Sequence, residues 1–135
     1  MAEPEEQPLE LILTRNLISI ISLAAILVDS EGTIVFYNDA AAEVIGARYE
    51  ETGQIPQDQW TVEIGPFDAQ GEPLTRDDLP LTVALRDGRP GSGSFYICAD
   101  WGLIPVEAAA LPLVGAAGQH GALVVFWQLD GAPEG

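Results

Sequence analysis

The chain has 135 residues, 47% of them hydrophobic, enough for one core but not two and too apolar for a disordered polymer. Twenty-one acidic side chains against five basic ones give a formal charge of −16 at pH 7, which argues against binding a phosphate backbone and disfavours docking on anionic lipid. The single cysteine, Cys98, leaves no intramolecular disulfide framework and no multi-cysteine zinc site.

Residues 1–8 are acidic and proline-containing, which predicts a disordered start and no cleavable signal sequence. Over residues 9–24, Leu9, Ile12, Leu13, Leu17, Ile20, Ile21 and Ala24 fall at three-and-four spacing and predict an amphipathic helix. The apolar run Leu17–Val28 spans only twelve residues, short of the roughly 20 that cross a bilayer, so a cytoplasmic protein is expected. The helix needs a cover for its stripe. A homodimer meets that need, with Leu13, Leu17, Ile20 and Ile21 as interface candidates; packing on the chain's own sheet is the alternative.

The next stretch, AILVDSEGTIVFYNDAAAEVIG (25–46), reads as strand, tight turn, strand, cap and helix. Asp29 and Gly32 carry turn chemistry, and Thr33–Tyr37 is β-branched and aromatic. Asn38 and Asp39 are both N-cap residues, and Gly46 suits the position after a helix C-terminus. Tyr49–Asp68 is irregular, broken by Gly53, Pro56, Gly65 and Pro66, with Trp60 as its anchor. Thr75 or Asp77 caps a further helix whose buried face carries Leu79, Leu81, Val83, Ala84 and Leu85; Pro80 suits its first turn and Gly88 ends it. Three strands follow: Gly93–Asp100, Leu103–Val114 and Ala122–Leu129. Pro105 and Pro112 are expected where regular pairing starts and stops. The last two strands are apolar on both faces, so the sheet is covered on both sides.

The order D-x-x-G-x-I-x-x-x-N-x-A-A, set by Asp29, Gly32, Ile34, Asn38, Ala40 and Ala41, resembles the opening of a PAS domain, a small sensor module of signalling proteins. The segments 67–90 and 93–130 are similar to the long helix and last three strands of that family. With five Arg and no Lys, the chain is also similar to short, free-standing PAS proteins of high-GC bacteria. The resemblance implies an α+β fold over 25–130: a five-stranded antiparallel sheet in the order 2-1-5-4-3, with helices on one face and the N-terminal helix on the other. Residues 131–135 are a tail.

No catalytic constellation emerges. The only histidine, His120, sits in a loop, no serine or cysteine lies in a nucleophile motif, and no carboxylate pair stands out. A non-enzymatic module is expected. The run 29–33 lacks the spacing of a calcium loop. Family members that hold haem commonly use a histidine on the long helix, and LPLTVALRD (79–87) has none. Flavin-binding members use a last-strand glutamine, which Gln128 matches, together with a cysteine motif that is absent here. No cofactor is therefore assigned, and flavin and haem stay as minor alternatives.

What the resemblance leaves is a cavity without reactive groups. If Gln128 faces inward, alternation turns Phe126 and Val124 inward as well. By resemblance Val106, Ala108 and Ala110 face in from the neighbouring strand, and Phe36, Trp60 and Leu85 complete the candidate lining. Val125 and Trp127 then face outward and join the dimer candidates. Two readings follow: a sensory dimer that binds a small apolar or amphipathic molecule and signals through a partner protein, or an interaction module with a filled core. The chain lacks the D-I/V-T ending that leads into a signalling helix. If these residues are the whole protein, its signal passes through contact with a separate protein.

Overall fold

The computed structural model describes residues 22–75, 77–115 and 118–129, together with Leu11, Thr14, Arg15 and Leu17. The expected acidic start, the tail and the helix positions Leu13, Ile20 and Ile21 lie outside the described residues. Five strands, β1 (Ala24–Asp29), β2 (Ile34–Tyr37), β3 (Gly91–Ala99), β4 (Gly102–Gly115) and β5 (Gly118–Gln128), form one antiparallel sheet in the order β2-β1-β5-β4-β3. Strands consecutive in the chain at β2 and β3 thus lie at opposite edges. The 53 residues between them, 38–90, must traverse the sheet, and they do so over one face.

That crossover carries α1 (Asp39–Ile45), α2 (Tyr49–Thr52), α3 (Gln57–Glu63) and α4 (Pro80–Thr82), the last continuing as a π-helical turn, Val83–Asp87. Asn38 caps α1, and Gly46 ends it at φ +92°, a conformation that favours glycine. The irregular stretch 49–68 holds two helices of four and seven residues, too short to leave a period in the sequence. Pro80 occupies the first position of α4, but the cap is Leu79 with no side-chain bond, not Thr75 or Asp77. The helix begins after those residues, and Asp77 instead faces Arg86, 3.6 Å away.

The inner face of the sheet packs Ile26, Val28, Ile34, Ile97, Val106 and Phe126 against the crossover. The outer face packs Ala25, Leu27, Val35 and Phe36 under Leu11, which is 1% exposed. Helical residues before the first strand therefore do cover part of the outer face, as the resemblance implied.

Both prolines of β4 lie inside the strand rather than at its limits. The Pro105 carbonyl accepts the Leu129 N–H at 2.9 Å, so Pro105 faces β5 just past that strand's last residue. Backbone groups alternate sides, so Pro112 faces β3, whose last partner on β4 is Ala110. The missing N–H of Pro105 faces Leu129, just past the end of β5, and that of Pro112 points beyond the end of β3, so each falls outside the regular ladder on its side.

Candidate functional site

Between the sheet and the crossover lies a cavity of about 290 Å³. Its floor is Ile26, Val28 and Ile34 from β1 and β2, Phe95 and Ile97 from β3, Ala108 from β4, and Val124 and Phe126 from β5. One wall is α3 with Trp60 and Thr61, followed by Ile64; the other is Leu74, Thr75, Asp77 and Leu79 and the helix after them, including Leu81 and Leu85. Exposed Gln57, Thr75 and Asp77 mark its mouth, and the buried lining is apolar. A largely apolar pocket with few polar groups at one side suits a small organic guest.

Directed bonds hold the walls. Asp29 Oδ1 accepts the N–H groups of Glu31 (2.9 Å) and Thr33 (3.0 Å), fixing the β1–β2 turn. Trp60 Nε1 then donates to the Gly32 carbonyl of that turn at 2.8 Å, which ties the indole to the turn. Asn38, 2% exposed, accepts from Ala41 N–H (3.0 Å) and Ala25 N–H (3.1 Å) and donates to the Leu23 carbonyl (2.9 Å), joining α1 to β1. On the far side, Arg86 pairs with the Asp77 carboxylate at 3.6 Å and with Asp87 at 3.1 Å. Those Arg86 contacts hold the Asp87 carboxyl below the usual range.

Of the expected lining residues, Trp60, Leu85, Ala108, Val124 and Phe126 surround this cavity. Ala110 faces the same side but is packed away at 0% exposure. Val106 and Gln128 border a different depression, near Leu23, Val44 and Trp127. Gln128 shares the parity of Phe126, yet it ends β5 and is exposed. Phe36 lies on the opposite face. Its sequence position two residues after the inward Ile34 predicts an inward ring, but a register shift opposite Leu27/Val28 leaves Val35 without a partner and reverses the alternation. Phe36 consequently meets Arg15, whose guanidinium carbon is 4.4 Å from the ring centre, and Tyr49, edge-on at 5.4 Å.

The lining residues missed by sequence reasoning include Ile26, Val28, Ile34, Phe95 and Ile97 on the floor, Leu74, Leu79 and Pro80 on the wall, and Gln57, Thr61 and Thr75 at the mouth. Their signal was limited to burial: Leu79 reads as part of a helix's buried face and Ile34 as part of a strand, and neither pattern says which buried residues border open space. Among the dimer candidates, Leu17 is 57% and Trp127 43% exposed, while Val125 packs beside the Leu11 cluster.

Haem and flavin, the minor alternatives raised from the sequence, meet a poor fit. His120 belongs to the β4–β5 hairpin and does not line the cavity, so it supplies no axial ligand there. Gln128 and Cys98 are likewise outside the lining, so the groups that would address a flavin ring are elsewhere. No cluster of three or more metal-binding side chains occurs among the described residues, and none of their helices is long and apolar enough to cross a membrane.

No protein-family model matches this chain, and no curated protein does. Solved structures do. The PAS domain of nitrogen regulation protein NR(II) from Vibrio parahaemolyticus is 18% identical, with a TM-score of 0.62 over 87% of this chain and 98% of that one. A PAS domain from Colwellia psychrerythraea is 17% identical, with a TM-score of 0.60 over 87% and 97%. A fungal LOV domain photoreceptor is 19% identical, with a TM-score of 0.60 over 87% and 89%. At such identities the likeness is one of fold, and the fold is that of PAS domains.

Proposed function

We propose, for a chain with the PAS fold, a non-enzymatic sensory or regulatory role in which the cavity binds a small apolar or amphipathic molecule. The observation that carries this reading is the cavity itself: about 290 Å³ between sheet and crossover, apolar in its buried lining and polar at its mouth. Occupancy of such a site shifts the populations of states that differ around it, and a partner protein reads the shift. The net charge of −16 fits neither nucleic acid nor anionic lipid as that partner. The role is placed in the cytoplasm of a bacterium and in a homodimer that uses the N-terminal helix and the outer sheet face.

Native mass spectrometry of freshly purified protein, beside its visible spectrum, tests the ligand. A bound mass without colour is expected, and colour would restore flavin or haem. Ala108→Leu fills the cavity floor and is expected to abolish retention of the bound mass. Trp127→Glu tests the dimer: sedimentation should show monomers, and an unchanged mass would remove the outer face from the interface.

A second reading, an interaction module without ligand, draws on the outer face. There Leu103 (39%), Leu111 (43%) and Trp127 (43%) remain exposed on β4 and β5, beside Trp101 (60%) in the β3–β4 turn. A clean dimer carrying no adduct would favour it.

A further inference from the structure

We propose that the cavity selects molecules polar at one end only, with that end held at the mouth between α3 and the residues Thr75 and Asp77, and the apolar remainder against the sheet. This rests on the reading of the cavity as a ligand site. The buried lining formed by Ile26, Ile34, Trp60, Ile97, Ala108 and Phe126 offers a single polar side-chain atom, Trp60 Nε1, and the Gly32 carbonyl already takes its hydrogen at 2.8 Å.

The backbone beside that wall is committed as well. The Trp60 carbonyl accepts from Ile64 N–H (2.8 Å) and Gly65 N–H (3.2 Å), and the Ile64 carbonyl accepts from Cys98 N–H (2.9 Å). The floor strands are bonded to one another along the sheet. A guest oxygen placed there gives up its water and meets no side-chain donor, because the Trp60 N–H is already taken.

The mouth is different. Gln57, Thr75 and Asp77 are exposed, and half-buried Thr61 and Thr82 mark the inner limit of the polar zone. The Thr61 hydroxyl donates to the Gln57 carbonyl at 2.8 Å, so its oxygen still accepts from a guest. The cavity volume of about 290 Å³ equals the share of roughly ten water molecules, which suits a guest of about that many heavy atoms.

The test is an NMR titration of the full chain with octan-1-ol and octan-4-ol, isomers of equal composition, and with 4-methyloctane, which keeps the branch of octan-4-ol without its hydroxyl. Octan-1-ol should bind with its terminal methyl showing contacts to Ala108 and its carbinol methylene to Thr61 or Thr75. Octan-4-ol should bind at least about tenfold more weakly, while 4-methyloctane binds. Equal affinity of the two alcohols, a carbinol methylene against Ala108, or rejection of 4-methyloctane as well would each overturn the one-ended selection and leave the ligand site standing. Absence of binding by all three would overturn the ligand site, and this inference with it.

Discussion

The two sides of the cavity are held by different physics. On the β1–β2 side, Asn38, Asp29 and Trp60 tie turn, helix and strand together through bonds of 2.8–3.1 Å with fixed directions. On the side of Leu74, Thr75, Asp77 and α4, exposed Arg86 pairs with Asp77 and Asp87 and donates to the Asp77 carbonyl at 3.4 Å, beside apolar contact from Leu79, Pro80, Val83 and Ala84. Hydrogen bonds to buried groups accept one geometry, whereas apolar contact tolerates small displacement. The first side is therefore a frame of fixed geometry, and the second has more latitude.

The contrast is open to measurement. Asn38→Ala strips partners from two N–H groups and one carbonyl, and should cost about 3 kcal/mol in urea unfolding; a cost under about 1 kcal/mol would remove the frame. Trp60→Phe loses the bond to Gly32 and part of the buried indole's packing, for an expected loss of about 2 kcal/mol. Ala108→Leu should change stability by less than about 1 kcal/mol, because the added atoms enter open space; a loss of about 1–3 kcal/mol would signal a filled core.

Tyrosine titration gives the smallest effect. Burial raises the Tyr37 and Tyr49 phenols above the ordinary 10.0, although the bond to Thr52 and the charge of Arg15 respectively oppose the shift. A raised folded value means the folded state keeps the proton longer. This contribution is full below pH 10 and is lost as pH climbs through the folded values. Tyr37→Phe should flatten the alkaline fall in melting temperature, at the cost of the hydroxyl bond to the Ala47 carbonyl, 2.7 Å long.

Much of the frame was legible in the sequence, because its signals are local. Asn38 reads as a cap and Asp29 and Gly32 as a turn, and on the opposite wall Pro80 and Gly88 read as helix limits, since each of these signals acts within four residues of its own position. The sheet order came from resemblance, not pattern. What escaped depended on distant partners or on interrupted periods. Phe36 changed sides through one unpaired residue, Val35. Gln128 kept its parity but ran past the strand that would have enclosed it. Thr75 and Asp77 read as caps because nothing local reveals that Arg86, nine residues beyond Asp77, faces that segment.

The β4–β5 hairpin outruns β3: the pairing of β4 with β3 stops at Ala110, while its pairing with β5 continues to Gly115. Beyond Ala110 the flank of β4 has no neighbour among the described strands, and such a flank is a template on which a foreign strand can add. Pro112 occupies that flank, and the donor it lacks is the one an incoming strand would require. The ring that looks like an interruption in the sequence is a guard against sheet growth and aggregation. It lets the chain keep a long hairpin without offering a complete ladder to its neighbours.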